Sequence, residues 1–291
     1  MRPLLVLLAR GNLVMALSMA AATWLAQVLA GLPAEPLPPF IAFLVIYSIY
    51  SLDRVTELDA DSRTHPERAR FSQRHAGLIR GSALAAYALA LGLAGRRGAW
   101  CVAVTLLPLA ALLVYSFPFL PRAVAHRVGF SRLKEVFVLK NVWVAGTLAA
   151  TPVLLAGVFH GAVRNGKPLV ATGAFLLGRW AVNVILFDVR DEAGDRANGL
   201  RTIPVVLGRA RTLRLLHGIN VLLVLLALAV PLLGLASPRF ALLGVSSLYA
   251  WVYLRRVERT EDIHFLCDVV SDGELLVLAG VVLLVTWLPG L

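Results

Sequence analysis

A short acidic series carries the first side chains that could do chemistry. Asp53, Glu57 and Asp61 recur at four-residue intervals, so a helix would place all three on one face. Three like charges on one face repel one another, and a bound cation would remove that repulsion. Carboxylate oxygens without Cys or His favour a hard ion, Mg²⁺ first. The alternative is a solvated helix end whose acids are balanced by neighbouring arginines.

A second acidic series repeats this pattern further along the chain. Asp188, Asp191 and Asp195 follow one another at intervals of three and four residues, so they too would share one helical face. Two such series suggest a pair of facing metal sites. Because proteins usually hold Mg²⁺ with a few carboxylates plus substrate phosphates, we expect a phosphate or diphosphate ester as the substrate.

The composition places these residues in a membrane protein. Of 291 residues, 59% are hydrophobic and 15% are charged, against about 45–50% and 25% in an average soluble domain. These proportions exclude a compact cytosolic enzyme and a disordered chain.

A membrane-spanning helix needs about 20 mostly apolar residues. Nine stretches meet this requirement: 12–31, 37–54, 75–94, 99–118, 135–157, 168–188, 213–235, 239–256 and 273–290. We expect an all-α integral membrane protein with nine transmembrane helices; a cleaved signal peptide is the alternative for the first stretch.

The basic residues indicate the orientation of the chain. The formal net charge is +11. When the loops between the nine stretches are numbered from the N-terminus, 20 of the 28 Lys and Arg residues fall at the N-terminus or in the even-numbered loops. Because they alternate with apolar stretches, they favour membrane topology over nucleic-acid binding. The positive-inside rule then predicts a cytoplasmic N-terminus, cytoplasmic acidic series and an external C-terminus, in the cell inner membrane if the source is bacterial.

Other polar residues near the two series could contact a phosphate group. The arginines in these segments are Arg63, Arg68, Arg190 and Arg196. Arg179 and Asn183 precede the second series on the same helical face, and we expect both to point inward because polar groups facing lipid are costly. For Arg179, an ion pair inside the bundle is the alternative.

The chain resembles the UbiA superfamily of intramembrane prenyltransferases. The segment Asp188-x-x-Asp191-x-x-x-Asp195, with the following Arg196, is similar to the second aspartate motif of that family. The first motif of the family reads Asn-x-x-x-Asp-x-x-x-Asp. Here Asp53 stands at the Asn position, Glu57 at the first Asp and Asp61 at the second. Two of three positions depart from the pattern, but all keep oxygen ligands.

The resemblance extends to the middle of the chain. Tyr115, Lys134 and the pair Lys140-Asn141 are similar to a tyrosine and lysine stretch of the family. The resemblance implies one domain over residues 1–291, with nine helices around a central cavity and both motifs at its cytoplasmic cap. A lysine inside a span needs an anionic partner or a wet cavity, which favours Lys140 as a diphosphate contact. Snorkelling is the alternative for Lys134, and an interface belt is the alternative for Tyr115.

The resemblance also implies a chemistry, in which Mg²⁺ and carboxylates activate a prenyl diphosphate and an acceptor attacks the prenyl carbon. The implied metal ligands are Asp53, Glu57, Asp61, Asp188, Asp191 and Asp195. The implied catalytic residues are Asp61, Asp191 and Lys140. The implied substrate contacts are Arg63, Arg68, Tyr115, Lys134, Asn141, Arg179, Asn183, Arg190 and Arg196.

The expected partners are a prenyl diphosphate, a small hydrophobic or amphiphilic acceptor and membrane lipid, with no nucleic acid and no obligate protein partner. Two alternatives remain open. A UbiA-type terpene cyclase would ionise the same diphosphate without an acceptor, and a lipid-binding protein or transporter would not release diphosphate. A third, a CDP-alcohol phosphatidyl-group transferase, is disfavoured because its motif needs Asp-Gly followed by Ala-Arg ahead of the later aspartates, an order that this sequence lacks.

Overall fold

The structure, a computed structural model, describes residues 2–56, 66–118, 131–161, 166–260 and 263–287. Within these ranges the chain folds into helices joined by short connections, without strands. The helices are α1 (Arg2–Arg10), α2 (Leu13–Leu29), α3 (Leu37–Thr56), α4 (Pro66–Arg74), α5 (Ala76–Gly95), α6 (Ala99–Ser116), α7 (Leu139–Phe159), α8 (Gly166–Ala197), α9 (Ile203–Leu207), α10 (Arg209–Leu232), α11 (Gly244–Val257) and α12 (Ile263–Thr286), with 3₁₀ segments at Leu133–Glu135 and Pro238–Leu243.

Seven of the described helices are long and apolar enough to cross a membrane, namely α3, α5, α6, α7, α8, α10 and α12. α1 and α2 together would make an eighth, but they are bent by 80°. The stretch predicted as a span over 239–256 begins as a 3₁₀ segment and continues as the 14-residue α11. A 14-residue helix is about 21 Å long, shorter than the hydrocarbon core of about 30 Å. The chain is thus a multi-pass membrane protein, and the predicted count of nine spans is not confirmed.

The bend between α1 and α2 occurs at Asn12, whose backbone is left-handed with a φ of 60°. Asparagine adopts this conformation more readily than most residues. Its side-chain Nδ2 donates a hydrogen bond to Ser51 Oγ of α3 at 3.2 Å. Arg54, also on α3, donates to the carbonyl oxygen of Arg10. The two contacts hold the end of α3 against the bend.

Small side chains bring the central helices together. Ala16, Ala22 and Ala26 of α2 are fully buried, and α2 packs mainly against α3 and α7. In lipid, small residues of this kind let helix backbones approach closely and gain packing contacts. Gly178 serves the same purpose between α8 and α10, since a Cβ there would lie 2.7 Å from Leu223 Cδ2.

A buried polar cluster joins α8, α10, α11 and α12. Arg179 Nε lies 3.1 Å from Glu274 Oε1, and Arg179 Nη1 donates to Asn220 Oδ1 at 2.7 Å. Tyr253 Oη donates to the other oxygen of Glu274 at 2.9 Å. All four side chains are at most 4% exposed, so each charge in the cluster depends on its partners in the protein.

The last span starts irregularly. Residues Leu266–Ser271 of α12 form a π-helical turn, and the regular helix resumes at Glu274. Gly273 follows the turn, and a Cβ at this position would lie 2.6 Å from the carbonyl oxygen of Val269. Glycine therefore allows the wide turn and the regular helix to follow one another. Single π-helical turns of this kind frequently occur at functional sites.

α8 is the longest element, with 32 residues. Its length of about 48 Å exceeds the hydrocarbon core of about 30 Å by more than half. The second acidic series lies in its last three turns, from Asp188 to Asp195. These residues are therefore carried to one end of the bundle.

Candidate active site

A cavity of about 360 Å³ opens at the end of the bundle where α3 and α8 bring their acidic residues. This volume lies within the range typical of small-molecule sites. Its polar lining consists of Asn12, Tyr50, Asp53, Arg54, Tyr115, Thr147, Asn183, Asp188, Arg190, Asp268 and Asp272. Its apolar lining includes Met15, Ile46, Ile49, Pro108, Ala111, Leu112, Trp143, Val144, Leu148, Val184 and Phe187. One end is therefore rich in charge and the walls are largely apolar.

Asp188 is held by two neighbouring residues of α7. Lys140 Nζ donates to Asp188 Oδ1 at 2.8 Å, and Asn141 Nδ2 donates to Oδ2 at 2.7 Å. The Lys140 and Asp188 side chains are only 16% and 11% exposed. The lysine within the predicted span thus has the anionic partner that its position requires.

The backbone before α7 is arranged to present Lys140 and Asn141. Val138 has a φ of 63°, an uncommon value for a β-branched residue. Residues held in such conformations cost free energy and tend to cluster at functional sites. The turn at Val138 ends the preceding loop and starts the helix whose first residues reach Asp188.

Glu135 stabilises that preceding loop. Its carboxylate accepts hydrogen bonds from the backbone N–H groups of Ser131 and Arg132 at 2.6 and 3.2 Å, and from Arg132 Nε at 3.0 Å. Burial alone would raise the pKa of this carboxyl group, but the hydrogen bonds and the arginine charge outweigh it and lower the pKa. Glu135 therefore stays ionised at neutral pH and holds the turn formed by Ser131 and Arg132.

Asp191 is bound by its neighbour Arg190. Arg190 Nε and Nη2 each donate to one oxygen of Asp191 at 2.8 Å, and Nη1 donates to Asp268 Oδ1 at 2.5 Å. The guanidinium carbon also lies 4.5 Å from the centre of the Phe187 ring. Arg190, predicted as a phosphate contact, lines the cavity while bridging two carboxylates in this arrangement.

The remaining predicted residues of α8 lie in different places. Asp195 stands one turn beyond Asp191 and is not among the residues that line the cavity. Arg196 donates to Glu192 at 2.8 Å, and its side chain is 62% exposed. Asn183 does line the cavity; its Nδ2 donates to Ser271 Oγ at 2.9 Å and to Asp272 Oδ1 at 3.2 Å.

Arg179 corrects one sequence expectation. It was predicted as a substrate contact, but it lies in the buried polar cluster with Glu274 and is not among the cavity-lining residues. The reason is its position on α8, more than two turns before Asp188, which places it deeper in the bundle. The structure instead contains the alternative stated for Arg179, an ion pair inside the bundle.

The first acidic series is only partly described. Asp53 lies on α3 and lines the cavity, as does Tyr115 at the end of α6. Glu57, Asp61 and Arg63 lie outside the described residues, as do the side chains of Arg68 and Lys134. Across the ranges described above, no three Asp, Glu, His or Cys side chains come close enough together to hold a metal ion.

Two acidic residues of the cavity are not among the predicted site residues. Asp268 and Asp272 lie at the start of α12 and enter the lining through the π-helical turn. Their four-residue spacing is the same signal that singled out the first acidic series. The last span is predicted to begin at residue 273, so this spacing falls outside it, whereas α12 begins at Ile263.

The donors in the cavity are chemically suited to Mg²⁺. Asp53, Asp188 and Asp272 supply carboxylate oxygens, while Asp268 is bound by Arg190, and the cavity lining contains no cysteine or histidine among the residues described. Asn141 Oδ1, beside Asp188, is buried without a hydrogen-bond partner. Oxygen ligands of this kind fit a hard divalent cation.

Comparison with known proteins identifies the family. Residues 15–264 match the model of the UbiA prenyltransferase family. The chain belongs to this family. The match covers most of the chain, and the resemblance drawn from the two aspartate motifs is confirmed.

Two relatives of this UbiA chain carry the same name. A digeranylgeranylglyceryl phosphate synthase from Natronomonas pharaonis is 34% identical over 168 residues, 56% of this chain and 55% of the relative. A digeranylgeranylglyceryl phosphate synthase from Methanopyrus kandleri is 27% identical over 228 residues, 74% of this chain and 76% of the relative. The chain therefore spans only about half the length of the first of these relatives.

Solved structures of UbiA homologues share the fold. A homologue from Archaeoglobus fulgidus bound to GPP and Mg²⁺ has a TM-score of 0.61 at 17% identity, covering 94% of this chain and 97% of that one. The apo structure of a homologue from Aeropyrum pernix has a TM-score of 0.64 at 16% identity, covering 94% and 98%. At these identities the likeness shows the fold of the UbiA chain and nothing finer.

Proposed function

We propose that this UbiA-family chain transfers a prenyl group from a prenyl diphosphate to an acceptor held within the membrane, with Mg²⁺ as cofactor. One observation carries the proposal. Carboxylates from α3, α8 and α12 lie together with Arg54 and Arg190 at one end of a cavity whose walls are largely apolar. A diphosphate with an apolar tail matches both parts of this cavity.

The charged end would hold the diphosphate and the metal. Asp53, Asp188 and Asp191, with Glu57, Asp61 and Asp195, would hold Mg²⁺, which supplies charge neutralisation for the leaving diphosphate. Lys140 and Arg190 already lie against these carboxylates. Each could move its charge from a carboxylate to a phosphate oxygen without leaving the site. Asn183, Asn141 and Tyr115 would orient the same group.

The reaction breaks one bond and forms one. The C–O bond between the allylic carbon and the diphosphate breaks, and its electron pair leaves with the diphosphate oxygen. A nucleophilic atom of the acceptor then bonds to the allylic carbon and loses its proton to water or to the released diphosphate. Aromatic rings in the cavity wall (Tyr50, Trp143 and Phe187) can stabilise positive charge on the allylic carbon, and the apolar wall limits access of water.

The named relatives suggest which acceptor to test first. Both are called digeranylgeranylglyceryl phosphate synthases. We therefore propose geranylgeranyl diphosphate as donor and geranylgeranylglyceryl phosphate as the first acceptor.

From the charge distribution, we propose that the N-terminus and the charged end of the cavity face the cytoplasm and the C-terminus faces outward.

The test is turnover by the purified chain in detergent. Labelled geranylgeranyl diphosphate and Mg²⁺ are supplied alone, with geranylgeranylglyceryl phosphate, or with a membrane lipid extract, and diphosphate release and the labelled product are measured. We expect release with the label transferred only when an acceptor is present. A cyclised product without acceptor would instead identify a terpene cyclase. Binding without release from geranylgeranyl, farnesyl or longer diphosphates would contradict an enzymatic role.

A further inference from the structure

Arg190 is shared between two carboxylates that come from different helices. Two of its nitrogens bind Asp191 on α8, and the third binds Asp268 on α12, 78 residues further along the chain. The Arg190 side chain is 7% exposed, whereas Asp191 and Asp268 are 27% and 32% exposed. A guanidinium this deeply buried depends on both partners for charge compensation.

This arrangement has a consequence for Asp191. In the structure both of its oxygens accept hydrogen bonds from Arg190, yet a carboxylate that ligates a metal must offer at least one oxygen to it. Asp191 can turn toward a metal ion only if Arg190 keeps another anion as partner. Asp268 is placed to be that anion, since it already binds the nitrogen that Asp191 leaves free.

We propose that Asp268 is a positioning residue of the site, which acts through Arg190 and leaves Asp191 available for the metal. This inference rests on the proposed metal-dependent function. Asp268 retains the arginine when Asp191 releases it. Without Asp268, the full charge of Arg190 rests on Asp191 and competes with the cation. The π-helical turn of α12 contributes by carrying Asp268 to Arg190.

The test compares metal binding by the full chain in detergent, using Mn²⁺ as a spectroscopic probe without substrate. Asp268→Asn should weaken Mn²⁺ binding about tenfold, as changes to the partners of metal ligands commonly do. Asp268→Glu keeps the charge and should bind within twofold of wild type. The control is Glu258→Gln, which removes a charge at an exposed position after α11 and should leave the midpoint unchanged.

A double variant separates positioning from a loss of the fold. If Asp268 acts by holding Arg190, then Asp268→Asn combined with Arg190→Gln should recover most of the lost affinity, because the competing cation is gone. Turnover supplies a second readout. The Mg²⁺ concentration for half-maximal diphosphate release should rise about tenfold in Asp268→Asn, with kcat at saturating Mg²⁺ near that of wild type.

The outcomes distinguish this inference from the proposed function. Equal Mn²⁺ midpoints in wild type and Asp268→Asn would overturn it, and so would a double variant as weak as the single one. If Asp268→Asn does not fold, Arg190→Gln alone should bind Mn²⁺ several times more tightly than wild type, and an unchanged midpoint would overturn the inference. Wild type that binds Mn²⁺ but never releases diphosphate contradicts the function only; wild type that binds no Mn²⁺ overturns both.

Discussion

At the scale of single residues, the site depends on carboxylates whose charges are already compensated within the protein. Asp188 is bound by Lys140 and Asn141, and Asp191 is bound by Arg190. Each of these basic side chains can exchange its carboxylate for a phosphate oxygen, since both acceptors form charge-assisted hydrogen bonds. Under the proposed function, the compensated state would keep the charged end of the cavity stable until the anionic substrate enters.

Asp191→Ala and Asp61→Ala should each abolish turnover while the chain still folds and inserts. Both residues are proposed metal ligands, and Asp191 is partly exposed, so its removal leaves no cavity in the core. Diphosphate release and detergent size-exclusion profiles are the measurements. Normal product formation by either variant, with Glu258→Gln as the active control, would refute the two-site metal proposal.

Lys140→Met should destabilise the chain, because the Asp188 carboxylate would stay buried with only Asn141 as partner. The expected loss is about 1–3 kcal/mol in the free energy of unfolding, typical of a buried group left without its partner. Chemical denaturation in detergent measures it. Lys167→Met, at an exposed position at the start of α8, serves as the control. Equal stability of the two variants would show that the ion pair does not stabilise the fold.

The sequence alone predicts the location of some of these residues but not of others. The spacing of the second acidic series and the lysine within a span predicted a polar site near Asp188, and the structure brings Lys140 and Asp188 together. Arg179 shares the helical face of Asp188. Periodicity indicates this face, but it does not indicate how deep in the bundle a residue lies or which residue it contacts. Its pairing with Glu274 depends on how α12 packs against α8, which a single sequence does not contain.

At the scale of the elements, the irregular segments supply the site. The left-handed residue Asn12 and the π-helical turn of α12 both occur where the chain reaches the cavity, and each brings polar side chains to its lining. Hydrophobic periodicity predicts regular helices and their approximate positions. It does not predict a π-helical turn, and the predicted span over 273–290 leaves Asp268 and Asp272 outside it.

Gly273→Ala tests the turn directly. The new Cβ would lie 2.6 Å from the carbonyl oxygen of Val269, so the backbone must shift. We expect a loss of about 1–3 kcal/mol in stability, as in other overpacked sites, and a fall in diphosphate release because Asp268 and Asp272 are displaced. Gly280→Ala is the matched control on the same helix, where a Cβ meets nothing within 4 Å. Equal activity of both variants would show that the turn is not needed.

At the scale of the whole molecule, the buried polar cluster of Arg179, Asn220, Tyr253 and Glu274 connects the second half of the bundle. It brings α8, which carries the second acidic series, into a fixed relation with α12, which carries Asp268 and Asp272. Apolar packing in lipid is weakly directional, whereas buried hydrogen bonds between helices have defined partners. The cluster therefore sets the register of the two helices that build the charged end of the cavity.

A double-mutant cycle measures this connection. Arg179→Met and Glu274→Met should each cost about 3–5 kcal/mol, because each leaves an uncompensated buried charge, and the double variant should lose much less than their sum. Thermal and chemical unfolding in detergent are the measurements. The exposed pair Arg97 and Glu35, 2.8 Å apart, is the comparison, and Glu35→Gln should cost less than about 1 kcal/mol. Strictly additive losses at Arg179 and Glu274 would refute the coupling.

The apolar wall of the cavity has a consequence beyond the reaction itself. Ala111 of this wall and Thr147 of the polar lining beside it are small residues, one to two turns along α6 and α7 from Tyr115 and Lys140. Under the proposed function, small side chains here would leave room for part of a hydrocarbon tail and so influence the length that the cavity accepts. Under the proposed function, that length passes into the lipid product and from there into the thickness of the bilayer that such lipids form. Two small side chains would then help to decide how thick a membrane the cell makes, and the helices of this protein must themselves fit that thickness.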